Sequence, residues 1–275
     1  MKPAVFILLS RQNADSRWVP TGTAFVISSR HVLAALHCIT GTNSEELSIG
    51  RYANRNVGKV SGIIPLKHTN YDDTAMDWVI LERRDEFCFT TFLTLCDFKN
   101  LPHVDEYLRT CYAPCGLTDS SIIDITIGDY CRITQYAPEN AAQLHDDFEV
   151  DSSSCIDSPR EDPLAIYVSV DKGLFGGCCG APYIDRENRV VAFHLYSGDD
   201  SIPIEKVVEI AMERASKKQK TAEEREQESS HSGFASIKQG IVISKVTSLV
   251  DAIRVLLAID LNPAIGTGQG KGWGK

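Results

Sequence analysis

The sequence has no run of apolar residues long enough to cross a bilayer as a helix, which excludes a helical membrane protein. It is also short of positive charge. Lys and Arg number 28 against 37 Asp and Glu, for a net charge of -9. Neither nucleic acid nor an anionic membrane surface is therefore expected as a partner. No internal repeat is present, so repeat architectures are not indicated. The N-terminal apolar stretch, Ala4 to Leu9, is short for a signal-peptide core, and no small-residue cleavage site follows it. It reads as a first strand. A cytoplasmic, reducing setting is the expectation, with most thiols outside disulfides. The nine cysteines are odd in number, so at least one has no partner within the chain. They form no compact four-ligand zinc pattern. The looser set Cys111, Cys115 and His103 or Cys155 is better read as ordinary thiols, and no metal or other cofactor is expected.

Most of the chain consists of short apolar or alternating runs separated by turn residues. Ala4 to Leu9, Thr23 to Ile27, Trp78 to Leu81, Tyr107 to Tyr112, Ile122 to Ile127, Ala165 to Val170, Val190 to Leu195 and Gly240 to Ser244 all suit strands. Their length and spacing predict an all-β barrel or sandwich protein. The segment from Cys96 to Glu106, with Leu-Pro-His and acidic residues, reads as a linker. It suggests an N-terminal unit over 1–100 and a second over 101–260. Two regions break the pattern. Residues of about 201–236 form a charged insertion, rich in Glu, Lys, Arg and Gln, read as solvated chain. Val246 to Ile259 has helical apolar spacing, with Thr247 or Ser248 as N-cap. The Gly-rich tail, 261–275, reads as flexible.

Three stretches carry chemistry. His37 ends an apolar run, Val32-Leu33-Ala34-Ala35-Leu36, that follows a strand. Asp77 directly precedes the strand-like Trp78-Val79-Ile80-Leu81, with Asp72 and Asp73 as nearby alternatives. Gly177-Cys178-Cys179-Gly180-Ala181-Pro182 is a glycine turn around two thiols. A thiol attacks a carbonyl well as a thiolate, so it needs a neighbouring base, and the base needs a group that fixes its tautomer. The competing interpretations are a core histidine, a turn aspartate and a buried cysteine pair.

The first and third stretches resemble two signatures of chymotrypsin-like proteases. Leu33-Ala34-Ala35-Leu36-His37-Cys38 resembles that family's Leu-Thr-Ala-Ala-His-Cys, and Gly177 to Pro182 resembles its Gly-x-Ser-Gly-x-Pro with cysteine in the serine position. The resemblance implies two six-stranded antiparallel β-barrels with a C-terminal helix, and cleavage of peptide bonds in protein or polyprotein substrates. It assigns Cys179 as nucleophile, with Cys178 as the rival, His37 as base and Asp77 as orienting carboxylate. The N–H groups of Gly177 and Cys179 would form the oxyanion hole. Secreted members bond the cysteine after the histidine to one on the preceding strand. Thr23 to Ile27 holds none, so Cys38 is expected to be a core thiol. The Gly-(apolar)-His strand of picornaviral-type cysteine proteases and glutamyl endopeptidases is similar to the segment carrying His194, fifteen residues after Cys179. That similarity implies a pocket for Gln or Glu lined by His194, Leu174 and Ser197. Leu174 stands where those families often place a threonine. Two other functions fit the same residues: a silent protease-like binding module and a viral polyprotein-processing protease.

Overall fold

The computed structural model describes residues 4–40, 46–54, 59–74, 76–112, 127–136, 164–170, 177–196 and 236–261. The charged insertion and the Gly-rich tail lie outside these residues.

The first six strands are β1 (Val5–Arg11), β2 (Val19–Val26), β3 (His31–Ala35), β4 (Glu46–Asn54), β5 (Lys59–Asp73) and β6 (Trp78–Arg83). They close into a barrel in the order β1-β2-β3-β6-β5-β4, every pairing antiparallel. A two-residue strand, β7 (Thr94–Leu95), follows. Then come β8 (Tyr107–Tyr112), β9 (Ile127–Tyr136), β10 (Ala165–Val170), β11 (Pro182–Ile184), β12 (Arg189–Tyr196) and β13 (Ser236–Val242). These last six run β11-β8-β9-β10-β13-β12, and the β11–β12 pairing closes a second antiparallel barrel. Closure removes the open sheet edges that would otherwise invite aggregation.

β6, expected from Trp78 to Leu81, is buried apart from a half-exposed Glu82 and reads as a continuous apolar run; β3, which the sequence showed only as the apolar run before His37, is buried at every residue. The long strands β4 and β5 escaped the pattern because their apolar residues are interspersed with Ser, Gly, Pro and charged residues: Ile49 and Leu66 are fully buried, Ser48 beside Ile49 is buried too, and Val60 and Ile63 of β5 pack against Ile7 and Leu9. The predicted strand at Ile122 to Ile127 meets β9 only at Ile127, and residues 122–126 lie outside the described set.

The predicted linker runs between the barrels but is docked. Leu95 of β7 pairs parallel with Val190 of β12, and the Cys96 N–H donates to the Val190 carbonyl at 2.8 Å. A short helix, α1 (His37–Thr40), follows β3. The C-terminal helix α2 (Thr247–Leu261) buries Leu249, Ala252, Ile253 and Leu256, one stripe at helical spacing. Thr247 and Ser248 sit inside its first turn and not before it. The Ser248 hydroxyl donates to Asp73 Oδ2 at 3.2 Å, tying α2 to the first barrel.

Candidate functional site

Two turns, one from each barrel, bring the three candidate side chains together. In the first barrel, β3 ends at Ala35 and the chain turns at once into α1, which leaves His37 exposed at the surface. Asp77, immediately before β6, holds that turn from below. Its main-chain carbonyl accepts the Leu36 N–H at 3.1 Å, and its Oδ1 accepts the His37 N–H at 2.7 Å. Its Oδ2 lies 2.6 Å from His37 Nδ1. Asp77 adopts a left-handed backbone, φ 54°, which costs a non-glycine residue energy and is sustained here by three hydrogen bonds. The alternatives are engaged elsewhere. Asp72 pairs with His68 at 3.5 Å, while Asp73 accepts from the Met76 N–H and from Ser248.

The second barrel supplies the turn from Gly177 to Gly180. Both glycines are left-handed, with φ 97° and 84°. The Ala181 N–H closes the turn onto the Cys178 carbonyl at 2.8 Å, and the Gly180 N–H reaches the His194 carbonyl at 2.8 Å. Thr23 of β2 clamps the turn across the interface. Its N–H donates to the Cys179 carbonyl at 2.8 Å, and its hydroxyl donates to the Gly177 carbonyl at 2.7 Å. A Cβ on Gly180 would stand 2.2 Å from the Thr23 carbonyl oxygen. Gly180→Ala is therefore expected to destabilise the protein by about 3 kcal/mol or more, combining backbone strain with overpacking. Thermal or urea unfolding reads this directly.

These contacts place the Cys179 sulfur and a His37 ring nitrogen within 4.8 Å of each other. Burial alone would push His37 down, but its hydrogen bonds to Asp77 and Cys179 outweigh burial and raise it from 6.5 to about 10. The Cys179 thiol is held well below 9.0 by hydrogen bonds with Cys178 and Cys38, against the opposing effect of burial, with His37 adding to them. A thiolate beside an imidazolium is the charge state these shifts favour. Cys178 is fully buried and Cys179 only half-buried, so Cys179 is the sulfur nearer solvent.

His194 is fully enclosed. Its Nδ1 lies 2.7 Å from the Tyr183 hydroxyl, and burial pushes the Tyr183 phenol well above 10.0, so it stays protonated and can donate. The ring comes within 4.8 Å of the Cys178 and Cys179 sulfurs. Leu174 and Ser197, the other expected pocket residues, lie outside the described residues. Three participants had no role in the sequence reading: the clamp Thr23, the ring partner Tyr183, and Cys38 as a neighbour of Cys179. Nothing local marks them, because each acts across strands or across the barrel interface.

No family model matches the sequence, nor does any curated protein. Solved structures do match. The active form of the Rv3671c protease from M. tuberculosis is similar with a TM-score of 0.54 at 14% identity, covering 92% of this chain and 81% of that one. The fold is chymotrypsin-like. The scabies mite inactivated protease paralogue S-I1 is similar to the same degree, with a TM-score of 0.54 at 13% identity over 94% of this chain and 95% of that one. The paralogue S-D1 also gives 0.54, at 12% identity. Chymotrypsin-like architecture thus hosts both active and inactivated proteins, and the site residues have to carry any argument about activity.

Proposed function

We propose that this protein is a cysteine endopeptidase working through Cys179, His37 and Asp77. One observation carries the reading: a histidine bound to a carboxylate on one barrel has a ring nitrogen within 4.8 Å of the half-buried thiol on a glycine turn of the other. In this mechanism the Cys179 thiolate attacks the scissile carbonyl carbon, and the carbonyl electrons move onto oxygen. The N–H groups of Gly177 and Cys179 stabilise that oxyanion, each worth about 3–4 kcal/mol. The His37 imidazolium gives its proton to the leaving amine, which departs and leaves a thioester on Cys179. Water, deprotonated by His37, then attacks the thioester and regenerates the thiol. Asp77 keeps the His37 proton on Nδ1 when the ring is neutral, so that Nε2 faces the reaction.

For the residue on the acyl side of the cut we infer Gln or Glu. The support is His194 beside Cys179, with Tyr183 on its other nitrogen. A phenol donating to Nδ1 leaves a proton on Nε2, a donor suited to an amide or carboxylate oxygen. His194 is fully buried, so the preference requires a bound side chain to reach its Nε2.

The test is cleavage of a mixed peptide library, with products identified by mass spectrometry. Cuts after Gln or Glu that shift to other residues in His194→Leu are the expected outcome. Cuts with no such preference would remove the pocket assignment and keep the mechanism. No cuts, together with a Cys179 that reacts with iodoacetamide no faster than an ordinary thiol, would leave a protease-like binding module.

A further inference from the structure

His37 and Cys38 are consecutive, and both point their donor atoms at Cys179. The Cys38 sulfur lies 3.5 Å from His37 Nε2, and all three donor atoms fall within 4.8 Å of one another. Space for the Cys38 sulfur comes from Gly22: a Cβ there would lie 2.7 Å from it and 3.0 Å from the Cys179 carbonyl oxygen. A tetrahedral zinc ion, with zinc–sulfur about 2.3 Å and zinc–nitrogen about 2.0–2.1 Å, sets N···S and S···S edges of roughly 3.5 and 3.8 Å. The His37–Cys38 edge already has that length.

From this geometry we infer that His37 Nε2, Cys38 Sγ and Cys179 Sγ form a three-ligand site for a thiophilic divalent cation, Zn2+ foremost. Two cysteines, one histidine and a water in the fourth position are an established zinc arrangement, and thiolate with imidazole selects zinc over magnesium or calcium. Asp77 Oδ2 holds His37 Nδ1 at 2.6 Å, orienting the ring so that Nε2 is the ligand nitrogen. Of the three ligands the His37 side chain is 43% exposed, Cys179 is half-buried and Cys38 is buried, so solvent has access from the His37 side. A second set, Cys178, Cys179 and His194, is equally compact, but Cys178 and His194 are fully buried and leave no open position for water. Binding releases to solvent the Cys38 thiol proton and the Nε2 proton of the His37 imidazolium, which leaves a neutral imidazole and two thiolates as ligands. It also occupies the two atoms that peptide cleavage uses, so the metal-loaded protein is silent. That consequence rests on the proposed triad, whereas the site itself does not.

Cobalt(II) titration of chelator-treated, full-length protein tests the site without any substrate. One equivalent is expected to give the visible bands of tetrahedral cobalt with sulfur-to-cobalt charge transfer, and Zn2+ is expected to displace it. Cys38→Ser and Cys38→Ala should each weaken binding more than tenfold and reduce the charge-transfer absorption by about half. Asp77→Asn should weaken it about 10–100-fold through the second shell. Cys178→Ser, which keeps the shape of the residue and a hydrogen-bonding group, should leave affinity within a few-fold. Stoichiometric Zn2+ should also protect Cys179 from iodoacetamide in wild type and not in the Cys38 variants. Absence of charge transfer, wild-type affinity in both folded Cys38 variants, or loss of binding in Cys178→Ser alone would each overturn the inference. If Zn2+ protects Cys179 and no peptide is ever cut, the metal site stands and the protease reading falls.

Discussion

Cys179→Ala is expected to reduce peptide cleavage by roughly a million-fold, to the level of the remaining binding and oxyanion groups. The reason is chemical: without the sulfur no thioester can form, and the other groups have nothing to activate. The fold should be nearly untouched. Cys179 is half-buried; alanine loses the weak contact of its sulfur with the Leu195 carbonyl at 3.5 Å but keeps the turn's main-chain carbonyls and N–H groups that bond Thr23 and His194. The expected stability change is under about 1 kcal/mol. Wild type should show one thiol that reacts quickly with iodoacetamide, and the variant none. Cys178→Ala separates the two neighbours. It removes one hydrogen bond to Cys179 and should slow the reaction without ending it. If Cys179→Ala cleaves normally and Cys178→Ala does not, the nucleophile has been misassigned by one residue.

Asp77→Asn should lower kcat by roughly a hundred- to ten-thousand-fold while leaving the fold in place. The variant keeps an oxygen for the His37 N–H, and asparagine tolerates the left-handed backbone that position requires. What changes is the group facing Nδ1. An amide NH2 placed there donates where the carboxylate accepted, so neutral His37 must carry its proton on Nε2 and can no longer act as base. The loss of negative charge also destabilises the imidazolium. A serine hydroxyl enzyme would sit at the upper end of that range. The Cys179 thiolate is already favoured by Cys178 and Cys38 as well as by His37, so part of the activation survives here. Steady-state kinetics beside a thermal melt checks both halves. Unchanged kcat in a correctly folded variant would remove Asp77 from the mechanism. A collapsed melting temperature would show that it mainly supports the turn.

The sequence alone pointed to a β-barrel or sandwich, a C-terminal helix and a glycine turn around Cys178 and Cys179, while the roles of His37 and Cys179 came from the resemblance to two chymotrypsin-like signatures. The first three are written locally: in apolar runs whose length matches a strand, in one helical stripe, and in glycines needed where the backbone turns left-handed. The strands β4 and β5 were not legible because their apolar residues are broken up by Ser, Gly, Pro and charged residues, so no continuous or alternating run marks them. Tertiary structure decided what lies between segments distant in the chain. Asp77 was separated from Asp72 and Asp73 only by which carboxylate closes on His37. Thr23 became a clamp only once β2 met the Gly177–Gly180 turn, more than 150 residues away. Cys38 is the buried core thiol the sequence suggested, and packing also brings its sulfur, beside Gly22, within 4.8 Å of the Cys179 sulfur. Hydrogen bonds and ligand distances across an interface depend on how the barrels dock, and docking geometry has no period or motif in the chain that a reader of the sequence can follow.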